Sequence, residues 1–149
     1  MWDFNLTQHI QMYIEDKAKF YAEINRVLKE EGVLVYYEIF KKGKDVVNYP
    51  LPWDKAATIG FLETVMLMDT LLKKMGFEKL QTTDQTLKAK KFLKIVSDNL
   101  KTNGLPFQSP SFLKDSSKMK KLRNLLKGIE ENKIELQSGI FKKKSTEYE

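Results

Sequence analysis

The sequence contains no cysteine, which excludes disulfides, thiolate zinc sites and cysteine nucleophiles. It contains a single histidine, His9, so a multi-histidine metal site is excluded too. No apolar run approaches the ~18 residues of a membrane span. The opening MWDFNLTQHI has neither a basic n-region nor an apolar h-region, so it does not read as a signal peptide. A soluble cytoplasmic protein without membrane contact is the expectation. The seven glycines stand singly, with no cluster that would let backbone approach a nucleotide closely.

What is present suits one compact domain. The chain has 149 residues and 42% apolar content, with 11% aromatic residues, which argues for a real core and against disorder. The net charge is +6, and it is unevenly spread. Residues 1–84 carry a net −2 and residues 85–149 a net +8. The basic half is nearly all lysine, with Arg123 its one arginine. Base-reading surfaces favour arginine, so nucleic acid is not the expected partner.

The periodicity predicts alternating strands and helices. Trp2 to Leu6 reads as a strand. Asp16 caps a predicted helix to about Glu31 with Phe20, Tyr21, Ile24, Val27 and Leu28 on one face, closed by Gly32 as a C-terminal glycine. Val33 to Phe40 is a near-continuous β-branched and aromatic run, the pattern of a strand covered on both faces. Pro50 and Pro52 stiffen the segment Tyr49 to Trp53. Further helices are predicted over Glu63–Met75, closed by Gly76, and over Gln85–Asn103, anchored by Leu87, Leu93, Val96 and Leu100 and stopped by Gly104 and Pro106. A polar loop, Leu105 to Asp115, precedes a helix capped by Asp115 or Ser116 that runs to about Glu131. Phe77–Asp84 and Ile134–Phe141 read as strands, and Lys142 to Glu149 as a charged tail that frays. The class is α/β with about four strands.

Particular residues then carry a resemblance. Thr7-Gln8-His9-Ile10-Gln11-Met12-Tyr13, followed by Arg26-Val27-Leu28-Lys29 and Gly32, resembles the fourth strand, helix and "RVLKPGG" turn of class I S-adenosylmethionine-dependent methyltransferases. Tyr49-Pro50-Leu51-Pro52-Trp53 followed by Gly60-Phe61-Leu62 resembles the "YPVPWA…SFL" segment of small-molecule members, the sarcosine/dimethylglycine N-methyltransferase group above all. Gly76-Phe77, Asp84-Gln85-Thr86 and Leu122-Arg123-Asn124-Leu125-Leu126 continue the likeness. Two departures stand out: Tyr13 replaces a usual Asn, and Lys29-Glu30-Glu31-Gly32 replaces the "KPGG" turn. The resemblance implies the last four of seven strands of a Rossmann-like sheet, the final one antiparallel, with flanking helices. Residues 1–141 would be the C-terminal half of the domain and 142–149 its tail. It also implies S-adenosylmethionine as cofactor and a small amine, such as a glycine derivative, as methyl acceptor. The glycine-rich loop and the ribose-binding acid precede the matched part. The chain would then be either part of an active methyltransferase or a non-catalytic domain that forms a homodimer or pairs with a separate N-terminal half.

Candidate site residues follow on the same basis. His9 is the one side chain whose ordinary pKa lies near neutrality; it either orients substrate, takes a proton and touches cofactor, or packs against the following helix. Gln8 lies beside the cofactor in the family, or bonds locally. Met12, on the substrate side in relatives, reads equally as core. Tyr49, Pro52 and Trp53 form a candidate substrate wall, with Trp53 able to hold a methylated ammonium by cation–π attraction or to anchor its loop by burial. No residue set points to a metal. Glu38, inside an apolar run, needs a partner if buried.

Overall fold

The computed structural model describes residues 1–54, 60–103 and 116–146. β1 (Trp2–Gln8) passes through a 3₁₀ turn (Gln11–Tyr13) into α1 (Lys17–Val27) and β2 (Leu28–Lys41). There follow α2 (Val65–Lys74), β3 (Phe77–Asp84), α3 (Thr86–Asn103), α4 (Ser116–Glu130) and β4 (Ile134–Lys143). The strands form one sheet in the order β1-β2-β4-β3. β1 lies parallel to β2, and β4 runs antiparallel between β2 and β3. This is the expected α/β sheet with an antiparallel last strand. The expected cap at Asp115, the loop Leu105–Asp115 and the stops at Gly104 and Pro106 lie outside the described residues, as do residues 147–149.

Local chemistry explains where the elements begin and end. Asp16 caps α1 by accepting a bond from the Lys19 amide at 2.9 Å. Thr64 caps α2 in the same way through the Leu67 amide at 3.2 Å. The end of α1 departs from the sequence reading. The helix stops at Val27, not Glu31, and the chain goes straight into β2 because Leu28 pairs with Trp2. Lys143 Nζ satisfies two carbonyls there, Asn25 at 2.7 Å and Leu28 at 2.9 Å. The residue in the left-handed region is Glu31, at φ 65°, and Gly32 is not a helix cap. Its lack of a side chain serves close approach instead: a Cβ there would stand 2.8 Å from the Lys29 carbonyl oxygen and 3.3 Å from that of Asp3.

The two faces of the sheet are packed by different helices. Leu34, Tyr36 and Phe40 of β2 join Tyr21 and Ile24 of α1 and Met68 and Leu72 of α2 in one buried cluster. Ile39, on the opposite face, joins Ala89 of α3, Leu125 and Ile129 of α4, and Leu136 of β4 in a second. α3 turns Ala89 and Ser97 inward, with Leu93 packed on the core. Leu87, expected as an anchor, is 65% exposed because it lies on the far side of that helix from Ala89 and Leu93. Gly139 of β4 sits where a Cβ would be 2.4 Å from the Gln81 carbonyl oxygen and 2.6 Å from Tyr36 Oη, so only glycine lets β3 and the Tyr36 ring meet there. The tail is held as far as Thr146: β4 includes Lys142 and Lys143, and Ser145 and Thr146 hydrogen-bond Glu31 and Glu30 at 2.7 and 3.0 Å.

Candidate functional site

At the carboxyl end of β1 the chain leaves the strand through a left-handed residue, His9. His9 has a φ of 48°, in the left-handed region that costs a residue with a Cβ roughly 1–2 kcal/mol. Its amide donates to the Tyr37 carbonyl at 3.0 Å, so the backbone stays tied to β2 as it bends. The imidazole packs on Tyr37, ring centroids 4.8 Å apart and tilted by 52°. Burial lowers its pKa below the usual histidine value, so the ring is neutral at pH 7. Its Nδ1 is buried with no hydrogen-bond partner among the described residues.

His9 opens onto a cavity of about 600 Å³ between the sheet and the α3–α4 pair. Val35, Tyr37 and Ile39 line it from β2, Ala89, Phe92 and Leu93 from α3, and Leu125 from α4. Few polar groups reach it. Gln85 Nε2 donates to Ser138 Oγ at 2.9 Å in its wall, and Lys88 also lines it. A mostly apolar hollow with a few converging polar groups is the usual form of a small-molecule site.

The other candidates are placed elsewhere. Gln8 is exposed at the strand end, in register with Tyr37. Met12 is 4% exposed and packs in the second cluster with Ile39 and Leu62. Tyr49 and Trp53 pack on the edge of that same cluster, while Pro52 is exposed. Burial raises the Tyr49 pKa, and Trp53 Nε1 is buried without a partner among the described residues. Their loop is bound to α4: Lys121 Nζ donates to the Asp54 carbonyl at 2.7 Å, and Asn124 Nδ2 to the Pro50 carbonyl at 2.9 Å. None of Gln8, Met12, Tyr49, Pro52 and Trp53 lines the His9 cavity.

Glu38 belongs to neither the cavity nor water. It is fully buried on the α1–α2 side. Its Oε2 accepts the Ile10 and Gln11 amides at 3.0 and 3.2 Å, which fastens the 3₁₀ turn after His9. Burial raises its pKa, against the opposing pull of those amides and of Lys17, and its Oε1 has no hydrogen-bond partner among the described residues. Lys17 Nζ donates to the carbonyls of Gln11 at 2.5 Å, Ile14, and Phe61 at 2.7 Å. Tyr21 Oη donates to Gln11 Oε1. The sequence signal for this network was one carboxylate in an apolar strand; Lys17, at a helix start, gave none. Among the described residues no group of side chains could hold a metal ion, and no helix is long and apolar enough to cross a membrane.

No protein-family model and no curated protein matches the chain. Solved structures do. A protein from Galdieria sulphuraria described as a sarcosine dimethylglycine methyltransferase superposes with a TM-score of 0.72 at 22% identity, over 96% of this chain and 53% of that one. Phosphoethanolamine N-methyltransferase 2 of Haemonchus contortus, in complex with phosphomonomethylethanolamine and S-adenosylhomocysteine, gives 0.74 at 14% identity, over 97% and 34%. A cyclopropane synthase of Mycobacterium tuberculosis gives 0.70 at 16% identity, over 95% and 55%. The chain thus spans between a third and just over half of the length of these structures. At these identities the likeness is one of fold: these 149 residues have the architecture found in S-adenosylmethionine-dependent methyltransferases.

Proposed function

We propose that this chain is the C-terminal half of an S-adenosylmethionine-dependent methyltransferase domain that methylates the nitrogen of a small amine. The observation that carries the proposal is His9. It stands at the carboxyl end of a parallel strand, where open α/β sheets bind ligands. It is bent out of the strand by its left-handed backbone and faces a cavity large enough for a small acceptor.

The described residues fit one side of a cofactor. Gln8 offers an exposed carboxamide and His9 a neutral imidazole at the end of β1, and those two would lie against it. The bound cofactor supplies a methyl group already activated by a sulfonium. The protein's part is to align the acceptor nitrogen with that methyl and keep water out. Val35, Phe92 and Leu93 give the cavity an apolar lining on the acceptor side. The acceptor nitrogen would have to present its free lone pair to that methyl. A proton then leaves nitrogen, and the neutral His9 ring can accept it. Tyr49, Pro52, Trp53 and Met12 act at one remove in this reading, holding the loop and core beside the cavity.

The test is calorimetric titration of S-adenosylmethionine and S-adenosylhomocysteine into the folded chain, alone and joined to the remainder of a matched domain. Saturable binding that weakens at least about tenfold, or about 1.4 kcal/mol, in His9→Ala supports the assignment. Binding that His9→Ala leaves unchanged would overturn the role given to His9, and no binding in either form would overturn the cofactor.

A further inference from the structure

α3 buries one side and turns large apolar side chains outward on the other. Ala89 and Ser97 are buried and Leu93 packs on the core, yet Leu87, Phe92 and Ile95 are 65%, 64% and 60% exposed. Helical spacing brings these three together. Leu87, Lys91 and Ile95 follow at four-residue steps, and Lys88 and Phe92 form the next row; residues three and four apart on a helix are neighbours. The outward face from Leu87 to Ile95 therefore interleaves apolar side chains with lysines. Its charge is unbalanced. α3 holds the lysines Lys88, Lys90, Lys91, Lys94 and Lys101 against a single acid, Asp98. Lys94 is paired with Glu130 at 3.6 Å, while Lys88, Lys90 and Lys91 have no acidic partner among the described residues. α1, on the opposite side of the sheet, shows what an ordinary solvent face looks like. It exposes Lys19, Ala22, Glu23 and Arg26, with no large apolar side chain among them and with Arg26 paired to Glu23 at 2.9 Å.

We propose that this face of α3 binds the surface of an anionic membrane, with Leu87, Phe92 and Ile95 entering the boundary of the acyl chains and the lysines lying among the headgroups. A helix that rests in a lipid interface needs this pairing: apolar anchors for the hydrocarbon and lysines for the negative surface potential. The contact is peripheral, since among the described residues no helix is long and apolar enough to cross a membrane. Nucleic acid carries the same sign of charge, but two observations favour lipid. Leu87 and Ile95 gain nothing from a phosphate backbone, whereas an apolar phase covers them. Residues 85–149 contain one arginine, Arg123, and it lies on α4, while base-reading surfaces favour arginine. A second copy is disfavoured by charge, because this face meeting itself about a two-fold axis sets lysine against lysine. Lys88 and Phe92 also line the cavity beside His9, so a membrane held by α3 lies at the mouth of that cavity. The proposal does not depend on the methyltransferase reading.

The experiment is co-sedimentation of the full chain with large phosphatidylcholine vesicles, with and without phosphatidylserine as about a third of the lipid. The expected result is binding at least about tenfold tighter to the phosphatidylserine vesicles, weakened by added salt. Leu87→Gln combined with Ile95→Gln, and separately Lys88→Gln combined with Lys91→Gln, should each weaken it at least about tenfold. Both pairs should melt as wild type does, because all four positions are exposed. The sequence has no cysteine, so Ile95→Cys takes a single polarity-sensitive fluorophore. Its emission should shift to the blue on vesicle binding, and that of a label at Lys19→Cys on α1 should not. Absence of binding to phosphatidylserine vesicles overturns the proposal, as does binding that neither pair of substitutions weakens. An unshifted label at residue 95 on vesicle-bound protein moves the contact elsewhere and overturns it too. Tighter binding to polyuridylate RNA, unchanged by the Leu87 and Ile95 substitutions, would assign the face to nucleic acid instead. A dimer of the chain alone that the same pair dissociates would assign it to a second copy.

Discussion

The two faces of β2 are built from alternate residues of one strand, and they differ in nearly every respect. On the α1–α2 face every large side chain is sealed, and a buried carboxylate and a buried ammonium each have several partners. On the other face the strand meets a half-open cavity, a strained histidine backbone and an apolar row facing solvent. The first face is sealed by α1 and α2, and the second is left open along its cavity. The bridge between them is the turn after β1. Its amides are gripped by Glu38 from the finished face, while His9, one residue earlier, points to the unfinished one.

Breaking that grip should have the largest effect. Glu38→Ala leaves the Ile10 and Gln11 amides without their acceptor, the Gln11 amide in a buried position, at a cost of about 3 kcal/mol in denaturant unfolding. Lys17→Met should cost a similar amount by freeing three carbonyls. The conservative Glu38→Gln retains an acceptor for the amides and removes the buried charge, so it should cost far less. The two also differ in pH dependence. Because burial raises the Glu38 pKa, the folded state binds the proton more tightly than the unfolded chain. The stabilising contribution of the protonated group is full below the ordinary carboxylate range and is lost as pH rises through the raised value. Wild type should therefore gain on Glu38→Gln as pH is lowered from about 8 to about 4. A flat difference in chemical denaturation across that window would remove the burial argument.

Next in size is Gly139→Ala, on the finished side. The added methyl meets the Gln81 carbonyl and the Tyr36 hydroxyl at distances that force β3 or the ring to move. Tyr36 Oη also bonds Gln137 Oε1 at 2.6 Å, so the ring is not free to yield. A loss of about 2 kcal/mol in thermal unfolding is expected. Asn99→Ala, at an exposed position of α3, should by contrast change little.

The same contrast explains what could be read from the sequence. The sequence reading put β3 at its observed bounds, Phe77 to Asp84, although only Phe77 of that strand is buried. It failed where a tertiary pairing overrode local preference. The segment from Leu28 to Glu31 has helical composition, yet Leu28 pairs with Trp2 and the chain enters β2 early. Leu87 failed for another reason: α3 presents large apolar side chains outward as well as inward, so size alone could not tell the buried stripe. The candidate site was legible in part. His9 could be named because it is the single histidine, but its cavity is assembled from β2, α3 and α4, residues far apart in sequence with no motif to join them. Lys17 was illegible, since a lysine in the first turn of a helix is ordinary surface chemistry until its carbonyl partners are seen.

The smallest expected effect is the one that separates fold from function most cleanly. His9 occupies a backbone conformation that suits glycine, and His9→Gly relieves that strain while adding conformational freedom to the unfolded chain. The two contributions are each of the order of 1 kcal/mol and opposite in sign. The lost ring contact with Tyr37 is worth about another 0.5–1 kcal/mol. The variant should melt within about 1 kcal/mol of wild type, far from the loss expected for Glu38→Ala one turn away. If instead His9→Gly unfolds the chain as readily as Glu38→Ala, His9 is part of the finished face's machinery. If it leaves stability intact and removes S-adenosylmethionine binding, the open face is the functional one.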